Sequence, residues 1–428
     1  MNRLPALIVW LGLCALAGLD RSAAFGAPPT AILLGTHDDR LSPPEFYRYR
    51  DLLHGRRPLQ DADTAETKHN RAIMQKAARW YVYRLTWPDY QNGRGELGMS
   101  DVVQDACRQF PLASARRPLT AEQVLFQQHF GAELRERLQD VLRDRQPIVR
   151  INAARIVAHL AAAGQIPAGE LLLTMIQDAR ESDAVRLYAF RGLKDLFDLA
   201  APDAQAAAVE KLRQAAVPVL LDYVRRPAPL AAGAPADEID GYRYVRREAV
   251  RAVIAARPAD PRANDKLDRA SVAVLVGLLG KDSYRPGPSL SEQLEAAVAL
   301  CALQPTSYEP AELELAAHQA AGFVVELARH VQLAAGDRSP AHLPWKTAAV
   351  RLSVALAALH ERFAATPLAD KTAPLVDEAQ VVLTQIEKGE APLPAELSRW
   401  LQQHPPPPSD LSRQASPITL AAPAPQRP

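Results

Sequence analysis

The sequence has no excess of charge of either sign. Its 428 residues include 50 Lys and Arg against 49 Asp and Glu, a formal net charge of +1 at pH 7. Such a balance supplies no protein-wide field to attract nucleic acid or an anionic membrane. The composition therefore excludes a protein that binds polyanions with its whole surface, and a charged partner must be recognised by a local patch.

Aromatic residues are scarce, at 6% of the chain, whereas alanine alone accounts for 77 residues. Aromatic and β-branched side chains favour strands, while Ala, Leu and Arg have high helix propensities, so this composition argues against an all-β fold. From Thr120 onward, apolar residues recur at helical spacing in segments separated by short Pro, Gly or Asp breaks. This pattern predicts an all-α chain.

Long apolar runs are missing except at the start of the chain, where residues 4–19 carry no charge and follow the single positive charge of Arg3. The run is shorter than the roughly 20 apolar residues that span a bilayer, and small residues follow it. We predict that residues 1–26 are a signal peptide, cut after Ala24 or Gly26, and that the protein is exported to the periplasm or the extracellular space. The alternatives are lipidation at Cys14, which Leu13 disfavours, and an uncleaved N-terminal membrane anchor.

Cysteine is rare, and loss of the signal peptide would leave Cys107 and Cys301 alone. Two cysteines in about 400 residues are far from the framework of a disulfide-dense secreted domain. Both lie in apolar helical patterns, which favours buried free thiols over a disulfide between them.

Recognisable catalytic and cofactor motifs are also missing. The sequence contains no H-E-x-x-H, G-x-S-x-G, P-loop or G-x-G-x-x-G, and none of its ten histidines forms an i, i+4 pair. The segment around His37, Asp38 and Asp39 could face a cation, but its Pro-rich surroundings favour a solvated loop. We predict no catalytic residue, no metal site and no cofactor.

What the chain does contain is a repeated seven-residue pattern. V-R-x-x-A-x-R begins at Val149, Val185 and Val245, and weaker copies centre on Ala297 and Ala349. Repetition of this kind is the signature of stacked helix pairs, in which a small residue allows close approach and apolar neighbours build a shared core. Asp144 and Asp240 each precede an arginine by six residues, which predicts an acid in the turn and a base in the first turn of the next helix.

These segments resemble HEAT repeats, whose units consist of an apolar first helix, an Asp-containing turn and a second helix that begins V-R-x-x-A. The resemblance is closest at residues 142–160 and 238–256 and covers about residues 120–365. Asp183 departs from the spacing of the family, and Leu294 and Lys346 stand where arginine is expected. The resemblance implies an α-solenoid of HEAT-like helix pairs.

The sequence thus predicts five segments. They are a signal peptide at 1–26, an irregular and helical aromatic-rich region at 27–118 that acts as an N-terminal cap, the HEAT-like array at 119–365, capping helices at 366–403 and a disordered Pro-rich tail at 404–428.

Two groups of residues are candidates for binding a partner. The first is the last arginine of each clear motif copy, Arg155, Arg191 and Arg251, which could form a basic stripe on the concave side of a solenoid. The second is an aromatic block ahead of the repeats, interleaved with arginine and represented by Trp80, Tyr83 and Trp87. Each has a plainer interpretation, a solvated helix face for the arginines and a cap over the first repeat for the aromatics.

We therefore predict an exported, non-catalytic HEAT-repeat scaffold or adaptor that binds a protein partner in the cell envelope. It would bind no nucleic acid and would touch the membrane only through an uncleaved N-terminal segment. The alternative is an envelope enzyme of α/α type, with a cleft between the N-terminal helices and the repeats and with convergent carboxylates or histidines of displaced pKa. Nucleic-acid repair would require that the N-terminal segment is not a signal peptide.

Overall fold

Helices form the regular structure of this chain. The computed structural model describes residues 34–59, 64–91, 98–112, 118–199, 203–257, 265–280, 284–336 and 345–411, and within these ranges it contains 16 α-helices, one 3-10 helix at His37–Asp39 and no strand. The predicted all-α class is confirmed. The predicted signal peptide at 1–26 and residues 412–428 of the predicted tail lie outside the described residues.

The N-terminal region contains four α-helices: α1 (Pro43–Leu53), α2 (Ala65–Thr86), α3 (Pro88–Gln91) and α4 (Met99–Arg108). Local sequence sets their starts. The side chain of Thr64 accepts a hydrogen bond from the backbone N–H of Thr67 and caps α2, and Ser42 caps α1 together with Glu45. Helices α1 and α2 pack on the next helix along the chain, α5 (Ala121–Val141).

The remaining helices follow the periodicity of the sequence closely. They are α6 (Pro147–Ala162), α7 (Ile166–Gln177), α8 (Asp183–Asp198), α9 (Asp203–Arg225), α10 (Ala236–Ala255), α11 (Asp265–Leu279), α12 (Leu290–Leu300), α13 (Pro310–Gly336), α14 (Trp345–Phe363), α15 (Ala369–Lys388) and α16 (Ala395–Gln403).

These helices lie in two rows. In the first, which we call row A, α7, α9, α11, α13 and α15 pack each on the next. In the second, row B, α6, α8, α10, α12 and α14 do the same, and α4 packs on α6 ahead of it. Each helix therefore touches its predecessor and its successor in its own row, as well as members of the other row.

One cluster of buried apolar side chains runs through the described chain, from Tyr49 in α1 to Leu411 after α16. Ala153, Ala189 and Ala249, the central alanines of the three clear motif copies, are completely buried in it. Leu411 is also completely buried and Ser409 nearly so, so packed structure extends past residue 403, where the sequence analysis ended the capping helices.

The close contact between α6 and α8 depends on a glycine. A Cβ atom at Gly192 in α8 would lie 2.7 Å from the Cα atom of Ala158 in α6 and 2.5 Å from Cδ1 of Leu172 in α7. Real Cβ atoms do not approach other atoms so closely, and the backbone of α6 has little freedom to give way. The absent side chain therefore sets the distance between the first two helices of row B.

One predicted turn is wrong. Asp240 was expected in the turn before the helix and Arg246 in its first turn, but α10 begins at Ala236, so that Asp240 lies within the helix and Arg246 in its third turn. Asp237 and Glu238 occupy the first turn, where acidic side chains stabilise a helix N-terminus.

None of the helices in the described ranges combines the length and hydropathy needed to cross a bilayer.

Two glycine-to-alanine changes test the packing of α6 against α8. Gly192→Ala is expected to lower the free energy of unfolding by about 1–3 kcal/mol, since the added methyl group overlaps the Cα atom of Ala158 and the side chain of Leu172. Gly322 lies inside α13 with open space around its Cα atom. Gly322→Ala should therefore raise the stability by about 0.5–1 kcal/mol, through helix propensity alone. Denaturant unfolding followed by circular dichroism measures both. Equal effects of the two changes would contradict the close contact.

Candidate functional site

A chain of polar contacts joins successive helices of row B along one face. It consists of nine side chains, which we call the arginine ladder: Arg155, Tyr188, Arg191, Tyr244, Arg247, Glu248, Arg251, Glu295 and Arg351. The repeat pattern explains their placement, because Arg155, Arg191, Arg251 and Arg351 occupy the same position in four copies of the motif. Residues at spacings of three, four and seven then share one helix face.

The first contacts of the ladder join α6, α8 and α10. The Arg155 guanidinium in α6 lies 5.7 Å from the centre of the Tyr188 ring in α8. Arg191, one turn after Tyr188, donates a hydrogen bond of 2.5 Å to the Tyr244 hydroxyl in α10 and lies 3.6 Å from the Glu248 carboxylate. The ladder thus crosses two helix interfaces through arginine and tyrosine.

Glu295 in α12 connects α10 to α14, the last helix of the ladder. Its carboxylate accepts hydrogen bonds from Arg251 in α10, at 2.6 Å, and from Arg351 in α14, at 2.8 Å. Within α10, Glu248 accepts from Arg247 and Arg251 at 2.8 Å and 3.1 Å. The two carboxylates, in α10 and α12, therefore bind arginines from α8, α10 and α14.

Both carboxylates are held in the charged state. Burial alone would raise the pKa of Glu295, but the hydrogen bonds and positive charges of Arg351 and Arg251 outweigh it and bring this pKa below its usual value. The pKa of Glu248 is lowered in the same way, with Arg247 making the largest opposing contribution. The ladder is therefore ionised at neutral pH and, with five arginines against two glutamates, has a surplus of positive charge.

The three predicted partner-binding arginines, Arg155, Arg191 and Arg251, thus lie on one face of row B. Each of them already contacts another side chain of the protein. Arg155 also donates to the side-chain oxygen of Asn152, and Arg191 and Arg251 are bound as described. The sequence analysis missed the acids and tyrosines that bind them. Glu248 lies inside a recognised motif copy, whereas Glu295 lies in a copy without arginine, so its pairing with Arg351 had no sequence signal.

The first arginine of each clear motif copy lies deeper. The guanidinium of Arg246 is completely buried against Glu292, with a shortest contact of 2.5 Å, and this pair joins α10 to α12. Arg150 and Arg186 donate to the backbone carbonyls of Asp144 and Asp178. Asp144 lies in the turn and Arg150 in the first turn of α6, as predicted, and they are joined through the carbonyl of Asp144, while the Asp144 carboxylate accepts a hydrogen bond from the backbone N–H of Gln146.

The aromatic residues ahead of the repeats form two features, a stack of rings at α2 and part of the lining of a cavity. Trp80, Tyr83 and Trp87 stack along α2, with ring centres 5.3 Å and 5.2 Å apart, and Tyr83 is buried. The segment before α1 covers this stack, because the site of a Cβ atom on Gly35 lies 3.2 Å from Cβ of Tyr83, and His37 meets the edge of Trp80. The predicted solvated loop is wrong at Asp39, which is buried and bound to Arg79.

Trp80 also borders a second feature, a cavity of about 990 Å³ between the 3-10 helix, α1, α2 and α4. Its lining includes Phe46 and Tyr47 from α1 and Tyr81 and Arg84 from α2. Tyr83 and Trp87 are not part of this lining. We call this cavity of about 990 Å³ the N-terminal cavity.

A narrower groove of about 490 Å³ lies between α4 and row B. It is lined by Cys107, Arg155, His159, Arg191 and Asp195, among others. Burial raises the pKa of the Cys107 thiol to about 11, which disfavours the reactive thiolate. His159 lies 2.9 Å from the backbone carbonyl of Phe110, and Asp195 binds Lys194.

Cys107 and Cys301 are both free thiols, and Cys301 is buried. In the part of the chain that the structure describes, no group of three or more His, Cys, Asp or Glu side chains is arranged to hold a metal ion. No family model matches the chain, and no curated protein or solved structure is significantly similar to it.

The pH dependence of stability tests the central position of Glu295. Glu295→Gln is expected to lower the free energy of unfolding by about 1.5–3 kcal/mol at pH 7, because charge-assisted hydrogen bonds to two arginines are lost. The folded-state pKa of Glu295 lies below the usual value of 4.5. Its contribution is therefore fully present above pH 4.5 and is lost as the pH falls through the folded-state pKa.

The difference between wild type and E295Q should consequently shrink as the pH is lowered from 7 to 3 in denaturant titrations. Glu136→Gln, at an exposed position of α5, serves as the matched control and should change stability little at either pH. A difference that stays constant or grows at acid pH would contradict the role of Glu295 as a charged acceptor.

Proposed function

We propose that this chain is an exported α-solenoid of HEAT-like helix pairs that acts without catalysis, as a scaffold or adaptor binding a protein partner in the cell envelope. The two rows of helices support the repeat architecture, since each helix of a row packs mainly on helices one or two places away along the chain. In this proposal α1, α2 and α4 are the N-terminal cap, and α15 and α16 close the other end.

The observation that carries the proposal is the arginine ladder, which we infer to be the binding surface. Tyrosine and arginine are the residue types that dominate binding energy at protein interfaces, and the ladder consists of them apart from its two glutamates. Its side chains are fixed by mutual contacts before any partner arrives. Binding would therefore cost less side-chain entropy than it would on a surface of free arginines.

The charge of the ladder indicates the chemistry of the partner. Because two carboxylates are shared among four of the five arginines, the surface keeps donors and positive charge for additional acceptors. Tyr244 and Arg351 remain 42% and 39% exposed, so they are accessible to another molecule. We infer that the partner presents an acidic segment, and its association should weaken with salt.

The alternative, an enzyme with its cleft between the N-terminal helices and the repeats, has weaker support. The groove at that place contains one histidine and one carboxylate, both with partners, and a thiol whose pKa is raised. These groups do not form the convergent set that acid–base or nucleophilic chemistry needs.

Export rests on residues 1–26, and an intact mass tests it. We expect the chain recovered from the envelope fraction of expressing cells to have the mass of a protein that begins at Phe25 or Ala27. A chain that retains Met1 and fractionates with the cytoplasm would contradict export and reopen the nucleic-acid interpretation.

A charge-removal variant that spares the internal pairs tests the binding surface. In Arg191→Ala combined with Arg351→Ala, Glu248 keeps Arg247 and Arg251, and Glu295 keeps Arg251. The variant should therefore fold, which circular dichroism and thermal unfolding verify. Affinity capture from solubilised envelope with the chain from Ala27 should lose the partner by about tenfold or more, since each hot-spot truncation costs more than about 1 kcal/mol.

The matched control is Arg56→Ala combined with Arg143→Ala, which removes the same charge from exposed positions outside the ladder. It should capture the partner as the wild type does. Equal capture by all three proteins would show that the ladder is not the interface, and absence of any partner under cross-linking would contradict an adaptor.

A further inference from the structure

Three arginines of the ladder converge on a single carboxylate. Nε of Arg191, Nη2 of Arg247 and Nη1 of Arg251 lie 3.6 Å, 2.8 Å and 3.1 Å from the carboxylate oxygens of Glu248. Arg191 belongs to α8 and the other two arginines to α10, so the contact spans a helix interface. We call these three arginines the arginine cluster. Because they share one acceptor, their guanidinium groups are also close to one another, and like charges at such separations repel.

The single carboxylate does not balance the charge of the arginine cluster. Three guanidinium charges against one carboxylate leave a surplus of two positive charges. Glu295, the next acid of the ladder, has Arg351 as a partner of its own, and Asp195, farther along α8, binds Lys194. Neither acid therefore removes the surplus, which a bound dianion would neutralise.

The surplus charge lies on the solvent side of the cluster. The Glu248 side chain is only 3% exposed, whereas the side chains of Arg191 and Arg251 are 36% and 32% exposed and that of Arg247 is 20% exposed. Nη1 of Arg191 and Nη1 of Arg247 make no hydrogen bond to the described residues and, unlike Nε of Arg247, are not buried. A molecule in solvent can therefore reach donors of both side chains.

Tyr244 holds two of the guanidinium groups in position. Its ring centre lies 5.6 Å from the guanidinium carbon of Arg191 and 4.6 Å from that of Arg247. Its hydroxyl also accepts the 2.5 Å hydrogen bond from Nη2 of Arg191. The two planar groups are thus oriented by Tyr244 and Glu248 before a ligand arrives. Planar guanidinium donors in fixed positions match the oxygens of phosphate.

We propose that the arginine cluster binds a phosphate monoester. At pH 7 such a group carries about 1.5–2 negative charges and three strong acceptor oxygens, so it matches the surplus of two charges, whereas a carboxylate or a phosphate diester brings one charge. Nη1 of Arg191 and Nη1 of Arg247 donate to its oxygens. The inference rests on the proposed function in that the ladder is the binding surface, and it specifies the acidic group that this surface recognises.

Two phenyl esters of similar shape and different charge test the proposal. A phosphorus NMR titration of the chain from Ala27, at pH 7.5 and constant ionic strength, should show saturable binding of phenyl phosphate. Phenyl sulfate has the same tetrahedral group with one negative charge fewer. As a competitor it should require about tenfold higher concentration, because its charge leaves part of the surplus unbalanced.

Inorganic phosphate separates the two sources of the phosphoryl group. It should compete no better than phenyl phosphate, since the proposed contacts are to the phosphoryl oxygens of an ester. Much tighter binding of inorganic phosphate would assign the cluster to the free ion and overturn the ester.

Variants assign the contacts. Arg191→Ala combined with Arg247→Ala leaves Glu248 paired with Arg251 and should weaken phenyl phosphate about tenfold or more. Arg191→Lys combined with Arg247→Lys keeps both charges but loses the planar forks, so it should weaken the ester only several-fold. It also tests the site if the alanine variant fails to fold, which circular dichroism and thermal unfolding reveal.

The matched control is again Arg56→Ala combined with Arg143→Ala, which removes the same charge outside the ladder and should bind phenyl phosphate as the wild type does. Any of three results would overturn the proposal: no saturable binding of phenyl phosphate at millimolar concentration, equal affinity for phenyl sulfate, or affinities of both cluster variants equal to that of the control.

The ester titration needs no protein partner, so it is independent of the adaptor proposal. If R191A/R351A loses a captured partner but the wild type does not bind phenyl phosphate, the adaptor stands and the phosphate site is overturned. If phenyl phosphate binds and no partner is captured under cross-linking, the phosphate site stands and the adaptor is overturned.

Discussion

The close packing of successive row B helices is the constraint on which the rest of the structure depends. At Gly192 the backbones of α6 and α8 approach so closely that even a methyl group would collide, and buried alanines occupy the central positions of the motif copies in α6, α8 and α10. Small residues at these positions bring the arginines of one helix within reach of the next. Longer side chains there would move the helices apart, and the Arg246–Glu292 pair and the arginine ladder would lose their geometry.

The motif therefore uses its two arginines for different purposes. The first is buried in α8 and α10 and partly buried in α6, and it binds backbone carbonyls or, for Arg246, a buried carboxylate. Removing one partner of such a pair is costly, because the other charge stays buried. The second arginine lies half-exposed on one face, where shared acids and tyrosines orient it without neutralising the whole surface. One short sequence pattern thus produces both helix registry and a continuous polar face.

Much of this was accessible from the sequence, and the failures have physical causes. The helices of the repeat region and the face shared by Arg155, Arg191 and Arg251 followed from periodicity, which is a local property of the chain. The partners of these arginines did not follow from periodicity, because Glu295 lies 44 residues from Arg251 and 56 from Arg351. Pairing over such distances along the chain is decided by the packing of whole helices.

The N-terminal cavity was missed for the same reason. Aromatic residues and arginines were visible as a group, but only the crossing of α1, α2 and α4 separates Tyr83, which is buried in a stack, from Tyr49 and Arg84 at the base of a cavity.

The most direct test of the account is side-chain oxidation footprinting of the purified chain and of the same chain in solubilised cell envelope. Tyr188 and Tyr244 lie on the arginine ladder, and Phe46 and Tyr47 lie on the N-terminal cavity, with Tyr244, Phe46 and Tyr47 well exposed. If row B presents the partner-binding surface, oxidation of Tyr188 and Tyr244 falls in the envelope while Phe46 and Tyr47 react as before. Unchanged oxidation of both ladder tyrosines, with protection elsewhere on the chain or nowhere, would contradict the central claim.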